Sequence, residues 1–370
     1  MTIISFLKKF QWVLLSATTG MLLIAIIVTI LQFEATLEPP RPKIGFIILG
    51  DITQPGWNAS QYQGISEACR DVGIELLVRD KVQENSGQCP AAIQELVAQG
   101  CGMIFLCSYA YSAEARGIVE KMPHIAFATN SAEVHTRNMT AYFVRMYQGR
   151  YLAGALAGMR TKSNVIGYVA AIPNTEVNRG INAFTLGVQA TNPAAKVVVA
   201  WTGAWEAPEK ETANAKRLIN EAGADVLTYH QDDQAVPDTA EAAGVYFIGY
   251  NTTLRGYSER NLASVLCRWD VYYRDILQRF LKGELNSVKN HWLGIDRGVV
   301  FLTDFSPAVT PHMRSRIAEL REQLVHNKLI FSGQIHDNKG TLRCAAGEAI
   351  SDDTLLEKID WQVEGVKILE

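Results

Sequence analysis

The stretch KIGFIIL at residues 43–49 decides the fold, because its pattern returns 122 positions later in the chain. Three pairs of segments match at this offset: IGF 44–46 with IGY 166–168, QELVAQGCGMIF 94–105 with KRLINEAGADVL 216–227, and IAFAT 125–129 with FIGYN 247–251. One such match carries little weight, since helix–glycine–strand patterns are common. Three matches at one offset predict a duplicated α/β lobe.

Within the first copy, short apolar runs alternate with segments of helical periodicity. The runs at 43–49, 103–107 and 125–128 predict strands, and the segments 61–72 and 90–99 predict helices that end at glycines. Strands that alternate with helices over short connections are typical of a parallel sheet covered by helices. Two such open sheets facing each other would leave a cleft between them.

The composition is that of a globular protein. The chain has 370 residues, of which 48% are apolar and 20% charged, and its net charge is −3. This length suggests two domains rather than one. Because there is no basic excess to neutralise phosphates, a general nucleic-acid-binding protein is not expected.

An apolar segment precedes the lobes. Residues 13–33, VLLSATTGMLLIAIIVTILQF, carry no charge and follow Lys8 and Lys9. About 20 apolar residues suffice to span a bilayer, and positive residues stay cytoplasmic. The segment therefore predicts an anchor in the inner membrane, with 1–12 cytoplasmic, 34–42 a proline-rich linker and the rest periplasmic or extracytoplasmic. A cleaved signal peptide is the alternative.

Six cysteines follow the apolar segment. An exported chain could form disulfides from them, but fifteen connectivities are possible and the spacing does not choose among them. Cys107 ends a very apolar run, which favours a buried thiol. No CxxC pair is present, so a zinc site is not expected. The cysteines are Cys69, Cys89, Cys101, Cys107, Cys267 and Cys344.

Ligands of open parallel sheets bind beyond the carboxyl ends of the strands. The loops at these ends are rich in aromatic, amide and acidic residues, and they lack the signatures of hydrolases and of phosphate or dinucleotide binding. We therefore predict a binding site without catalytic residues, metal or cofactor. The candidate ligand-binding residues are Trp57, Asn58, Ser108, Tyr109, Tyr111, Glu176, Trp205, His230, Gln231, Asp232, Asn251 and Trp269.

This set of residues suits a flat heterocycle. Aromatic rings on opposite lobes can sandwich a planar ligand, while amides and carboxyls bond to its edges. An amino-acid ligand remains an alternative, because Arg179 or Arg268 could bind its carboxylate.

Each candidate also has a structural interpretation. Trp57 could staple the start of a helix, Asn251 could cap one, and loop tyrosines often cover a sheet edge. For His230 the structural interpretation is favoured.

Several motifs resemble the basic-membrane-protein family of ABC-transporter substrate-binding proteins, of the PnrA-like purine-binding type. The motifs are PGWN 55–58, YQGRYLAGALAG 147–158, SNVIGYVAA 163–171, EVNRGINAFTLG 176–187, GADV 223–226, IGYN 248–251, AGEAISD 346–352 and DWQVEG 360–365. The resemblance implies a type I periplasmic-binding-protein fold with two Rossmann-like lobes. It also implies a purine ligand stacked on Trp57 and Trp205, and an ABC permease with its ATPase as partners.

The resemblance also bears on the form of the purine. Nucleoside-binding members place an aspartate where Asn251 stands and a lysine where Cys267 stands, and these charged groups are expected to hold the ribose. Both are absent here, and the segment around Trp269 is similar to the subgroup that binds free bases. A free base such as adenine is therefore favoured over a nucleoside.

The expected organisation assigns 43–145 and 268–297 to lobe 1, 146–267 and 298–335 to lobe 2, and 336–370 to a tail packed on the lobes. Two other functions stay open. The same fold could sense a ligand for a membrane receptor, or the chain could be a purine nucleosidase, which would need a metal cluster or a poised acid pair.

Overall fold

The computed structural model describes residues 3, 18–29, 42–130, 136–285, 290–326 and 328–370. The chain divides into two units, residues 1–42 and residues 43–370. In the first unit, residues 18–29 are helical. Among the described residues, no helix has the length and apolar character needed to cross a membrane. Most of the predicted n-region, the two ends of the predicted membrane segment 13–33 and nearly all of the linker lie outside the described residues.

The second unit is built of short strands and helices in alternation. The strands are β1 Lys43–Ile48, β2 Glu75–Arg79, β3 Cys101–Cys107, β4 Ala126–Thr129, β5 Met139–Val144, β6 Val165–Ala170, β7 Lys196–Trp201, β8 Val226–His230, β9 Tyr246–Tyr250, β10 Asn261–Cys267, β11 Asn290–Leu293, β12 Val300–Leu302, β13 Ile335–His336, β14 Leu342–Cys344 and β15 Val366–Ile368.

The helices of this unit cover the sheets. They are α1 Trp57–Val72, α2 Gln88–Ala98, α3 Tyr111–Val119, α4 Met146–Arg160, α5 Thr175–Thr191, α6 Pro208–Asn220, α7 Ala235–Ala243, α8 Trp269–Leu281, α9 Pro311–Val325 and α10 Asp352–Glu357, with a 3₁₀ turn at Ile295–Arg297.

Two sheets with the same strand order form the core of the unit. The first has the order β11-β5-β4-β3-β1-β2, and the second has β12-β10-β9-β8-β6-β7-β15. The strands pair in parallel except for β12, which is antiparallel to β10. Strands β1 to β5 of the first sheet therefore have counterparts in β6 to β10 of the second, which confirms the repeat predicted from the offset of 122 residues.

A glycine–leucine contact recurs in both sheets. A Cβ on Gly45 of β1 would lie 2.7 Å from Leu96 Cδ1 of α2. A Cβ on Gly167 of β6 would lie 3.1 Å from Leu218 Cβ of α6. The two glycines are 122 positions apart in the sequence, and so are the two leucines. The missing side chain lets the helix pack directly on the central strand.

The chain passes between the two sheets three times within residues 136–302. The passages lie between β5 and α4, between β10 and α8, and between the 3₁₀ turn and β12. Helix α8 follows the second passage and packs on α1 of the first lobe. This arrangement joins the lobes through a hinge rather than through one linker.

The C-terminal tail is attached to the second lobe. Strand β15 pairs in parallel with β7, so that Val366 lies beside Val197. Asn178 Nδ2 and Asn182 Nδ2 of α5 donate to the carbonyl oxygens of Ile359 and Trp361, each at 2.9 Å. Between these attachments, Leu356 of α10 clusters with Phe143 on the first lobe.

All six cysteines are free thiols, so no disulfide contributes to this fold. Cys107 is fully buried, as predicted, and burial raises the pKa of its thiol to about 12. It lies 3.8 Å from the Tyr273 hydroxyl of α8. A thiol in such an apolar environment is not reactive.

Candidate ligand-binding site

A narrow cavity lies where the carboxyl ends of the two sheets face each other. Loops after strands β1, β3 and β4 supply one wall, and loops after β6 to β9 supply the other. The lining residues are Leu49, Trp57, Ser108, Tyr109 and Asn130 on the first lobe, and Glu176, Trp205, His230, Asp232 and Tyr250 on the second.

Trp57 begins helix α1 and reaches the cavity from the first lobe. Its ring stands edge-on to Trp269, with 5.3 Å between the centroids and 84° between the planes. Trp269 is itself only 3% exposed. Trp269 therefore supports Trp57 from behind, since edge-to-face pairs fix the orientation of a ring.

Trp205 reaches the cavity from the second lobe, in the loop that follows β7. The backbone N–H of Asp232 donates to the Trp205 carbonyl oxygen at 2.9 Å, which ties this loop to the one after β8. The Trp205 ring centroid lies 6.1 Å from that of His230. The two tryptophans thus line one cavity from opposite lobes.

His230 ends β8 and is buried at the back of this wall. Its Nε2 lies 3.2 Å from the Tyr250 hydroxyl, and the two rings are 4.8 Å apart. Burial and the nearby positive charges of Arg150 and Arg179 hold the pKa of His230 well below its usual value. The imidazole is therefore neutral, so it can both donate and accept a hydrogen bond.

Two carboxyl groups line the cavity beside this neutral histidine. Burial raises the pKa of Glu176 to about 7, and Glu176 Oε1 lies 4.0 Å from His230 Nε2. Burial and neighbouring acidic groups, of which Glu206 is the strongest, raise the pKa of Asp232 well above its usual range. A raised pKa favours the protonated form, in which a carboxyl group can donate a hydrogen bond to a ligand as well as accept one.

Ser108 lies on the opposite wall and is held by an acid that the sequence interpretation did not select. Glu84 Oε1 accepts hydrogen bonds from Ser108 Oγ at 2.6 Å and from the Ala110 N–H at 2.7 Å. Glu84 therefore fixes the loop after β3 that carries Ser108 and Tyr109. Glu84 stands several residues after β2, and no sequence pattern indicates that it contacts the site.

Five predicted site residues do not line the cavity, and three of them hold loops in place. Asn58 Oδ1 accepts from the Gly50 N–H at 3.1 Å, and Gln231 Nε2 donates to Thr202 Oγ1 at 2.8 Å. Tyr111 is fully buried in the first lobe, where its hydroxyl donates to the Val82 carbonyl oxygen. All three stabilise loops at the carboxyl ends of strands. The rule that ligands bind beyond these ends, called here the strand-end rule, therefore selected them.

Two other predicted residues line a separate groove. Asn251 and Trp269 lie with Cys267 along an open groove of about 940 Å³ between α1 and the passage from β10 to α8. Asn251 has the left-handed φ of 55°, which asparagine tolerates better than most residues. The structure does not bring Asn251 into the cavity that holds the two tryptophans.

The sequence interpretation also missed Leu49, Asn130 and Tyr250. Each stands at or just after the carboxyl end of a strand, so all three lie in the region to which the strand-end rule applies. A single apolar, amide or aromatic residue beside a strand is usually structural, so no pattern in the sequence distinguishes these three from core residues.

The lobes touch where Gly56 precedes α1. A Cβ on Gly56 would lie 2.2 Å from the Asp232 carbonyl oxygen of the second lobe, a distance that cannot occur. Gly56 also has a φ of 149°, which L residues rarely adopt. The facing lobes therefore close to backbone contact at this point, and the cavity lies behind it.

The family model of Bmp, the PnrA-like substrate-binding proteins of ABC transporters, matches residues 41–339. The chain belongs to this family. Its members bind solutes, in agreement with the prediction that the chain is not an enzyme. The match ends before the tail strand β15 and helix α10.

Two relatives of similar sequence identity carry names that refer to different ligands. A purine-binding protein of Brucella abortus (strain 2308) is 31% identical over 88% of this chain and 92% of its own. A protein of Haloferax volcanii, provisionally named as an ABC-transporter glucose-binding protein, is 30% identical over 89% of this chain and 81% of its own.

Solved structures confirm the predicted two-lobe α/β fold. A transcriptional activator from Bacillus halodurans gives a TM-score of 0.67 at 23% identity, covering 77% of this chain and 98% of the other. An ABC-transporter solute-binding protein from Aeropyrum pernix K1 gives 0.63 at 17% identity, covering 85% and 95%. At these identities the likeness concerns the fold alone.

We expect Gly56→Ala to weaken ligand binding by tenfold or more, about 1.4 kcal/mol, because the added methyl prevents the lobes from closing. Gly73→Ala is the matched control. Gly73 ends the same helix with a φ of 73°, and a Cβ there would meet no atom within 4 Å. Calorimetric titration of both variants should show the loss only for Gly56→Ala. Equal affinities would contradict the closure contact.

We expect Glu176 to make the protein less stable as pH rises from about 4.5 to 7. The folded state keeps the Glu176 proton up to a pKa of about 7, whereas the unfolded chain releases it near 4.3, so unfolding releases a proton in this window. The slope is up to about 1.4 kcal/mol per pH unit. Glu176→Gln should remove this contribution from denaturant unfolding curves.

Glu211→Gln serves as the comparison for this experiment. Burial raises the pKa of Glu211 to about 8, but Glu211 does not line the cavity. Glu211→Gln should change the pH dependence of stability and leave that of ligand affinity intact. Glu176→Gln should change both, and a Glu176→Gln variant that titrates like the parent would refute the assignment.

Proposed function

We propose that this protein binds a free purine base between Trp57 and Trp205 and presents it to an ABC permease. The observation that carries the proposal is the pairing of these tryptophans on opposite walls of one cavity, with Glu176 and Asp232 beside them. Tryptophan faces stack on flat heterocycles, and carboxyl groups accept hydrogen bonds from ring N–H and amino groups. The similarity to a purine-binding protein supports the same class of ligand.

The identities of Asn251 and Cys267 support a base over a nucleoside. Neither side chain carries the charge that the family resemblance leads us to expect of a ribose-binding residue. Burial also raises the pKa of the Cys267 thiol well above its usual value, so it stays neutral. A ribose attached to a base in the cavity would find no charged pair at these two positions.

A hinged, two-lobed protein presents its ligand through its closed form. A ligand that contacts both walls stabilises the closed state over the open one by its difference in affinity for the two. The permease then binds surfaces that only the closed lobes bring together. The contact between Gly56 and Asp232 provides such a closed arrangement.

We also propose that residues 13–33 tether the protein to the inner membrane, on the strength of their uncharged apolar sequence after Lys8 and Lys9. A tether raises the effective concentration of a binding protein at its permease. The full chain should stay with membranes after alkaline carbonate extraction, whereas a variant beginning at residue 43 should be released. Release of the intact full chain would exclude the tether.

We expect Trp57→Ala and Trp205→Ala each to weaken adenine binding at least tenfold, which corresponds to about 1.4 kcal/mol of lost stacking and burial. Calorimetric titration of adenine, adenosine and glucose against the protein measures this. The parent should bind adenine most tightly.

Trp201→Ala is the matched control, because Trp201 ends β7 and is not among the residues that line the cavity. It should keep the parent's affinity for adenine. Tight binding of glucose and none of adenine would replace the purine with a sugar, and full affinity in both cavity variants would show that the ligand binds elsewhere.

A further inference from the structure

A second, inner pocket, called here the inner cavity, adjoins the first. The two share Trp57, Glu176, His230 and Tyr250 as lining residues, so a ligand between the tryptophans borders both. The other residues that line the inner cavity are Phe143, Val144, Met146, Tyr147, Arg150, Arg179 and Gly180.

Arg150 lines this inner cavity and has N–H groups without a hydrogen-bond acceptor among the described residues. It stands in helix α4, is 1% exposed, and lies with its guanidinium carbon 3.8 Å from the centre of the Tyr250 ring. Its Nη1 donates to the Tyr229 carbonyl oxygen at 2.8 Å. Its Nε and Nη2 have no hydrogen-bond partner among the described residues.

A buried guanidinium with unused N–H groups is costly. Desolvating a cation destabilises the folded state unless hydrogen bonds replace the lost water. The ring of Tyr250 satisfies one face of Arg150, but it offers no acceptor in the plane of the N–H groups. The free donors therefore favour an acceptor atom brought by a ligand.

Arg179, the second arginine of this cavity, is already committed elsewhere. Its Nη1 donates to the Leu355 carbonyl oxygen of the tail at 2.6 Å, and its guanidinium lies 5.2 Å from the Trp292 ring. Arg179 thus holds the tail against α5. The difference in partners separates Arg150 from its neighbour.

We propose that Arg150 is a ligand-binding residue of an inner subsite, where its Nε–H and Nη2–H groups donate to a ring nitrogen or exocyclic oxygen of the bound heterocycle. Glu176, which lines both cavities, then accepts from a neighbouring N–H of the same ligand. The subsite selects heterocycles with an acceptor next to a donor, which is the amidine edge of adenine or the lactam edge of an oxopurine. This inference rests on the proposed purine ligand.

The test compares adenine with 1-, 3- and 7-deazaadenine, each of which replaces one acceptor nitrogen by C–H. A hydrogen bond to a charged donor contributes roughly tenfold or more in affinity. The parent protein should therefore bind one of the three analogues about tenfold more weakly than adenine because its contact with Arg150 is lost. In Arg150→Met that penalty should vanish, while any loss of affinity that the parent shows for the other two analogues should persist.

Arg160→Met is the matched control. Arg160 ends the same helix, stacks 3.5 Å from the centre of the Tyr246 ring and also has an Nε without a partner among the described residues, but it lines neither cavity. Arg160→Met should keep every loss of affinity that the parent shows, including the one that depends on Arg150. This pattern distinguishes a contact with the ligand from a loss of packing along α4.

Three results would overturn the inference. If the purines bind and every penalty persists in Arg150→Met, Arg150 does not contact the ligand although the purine proposal stands. If no purine binds the parent, both proposals fail together. If Arg150→Met does not fold, a co-crystal structure of the parent with adenine decides, and a ligand with no acceptor within about 3.5 Å of Arg150 Nε or Nη2 refutes the contact.

Discussion

Exclusion of water from the space between the two sheets determines the properties of every titratable group in the cleft. Burial raises the pKa of Glu176 and of Asp232 and lowers that of His230, because charge is unfavourable in this environment. The same exclusion leaves Arg150 as a cation that needs a partner. Opening the lobes would return these groups to water, so the chemistry of the site depends on closure.

Closure in turn depends on small residues at the points of contact. Gly56 meets the backbone of Asp232 across the cleft. The hinge that permits this movement is framed by helix α8, which carries Trp269 behind Trp57. The residue that supports Trp57 therefore stands at one of the passages that join the lobes.

Much of the fold was predictable because local sequence patterns determine it. Apolar runs, helix-ending glycines and the offset of 122 residues specify strands, helices and the repeat, and the two sheets have the strand order that a repeat requires. The sheet strand formed by the tail, β15, was not predictable, since three residues near the end of a chain carry no periodicity.

The candidate site was predictable only in part. The strand-end rule found Trp57, Trp205, Glu176 and Asp232, because these residues stand in loops at the carboxyl edge of a sheet. The rule could not tell a lining residue from one that holds the loop, as Tyr111 and Asn58 do. Arg150 lay beyond its reach, because a helix residue enters the site through packing between elements distant in sequence.

The place of β15 has a consequence for the solubility of the folded protein. Residues Val366–Ile368 pair with the outer edge of the six-residue strand β7, so that the backbone groups on this edge are bonded within the chain. An uncovered strand edge allows strands of different molecules to join, and short edge strands limit this risk. By replacing a long edge with one of three residues, the tail segment protects the second lobe from edge-to-edge association.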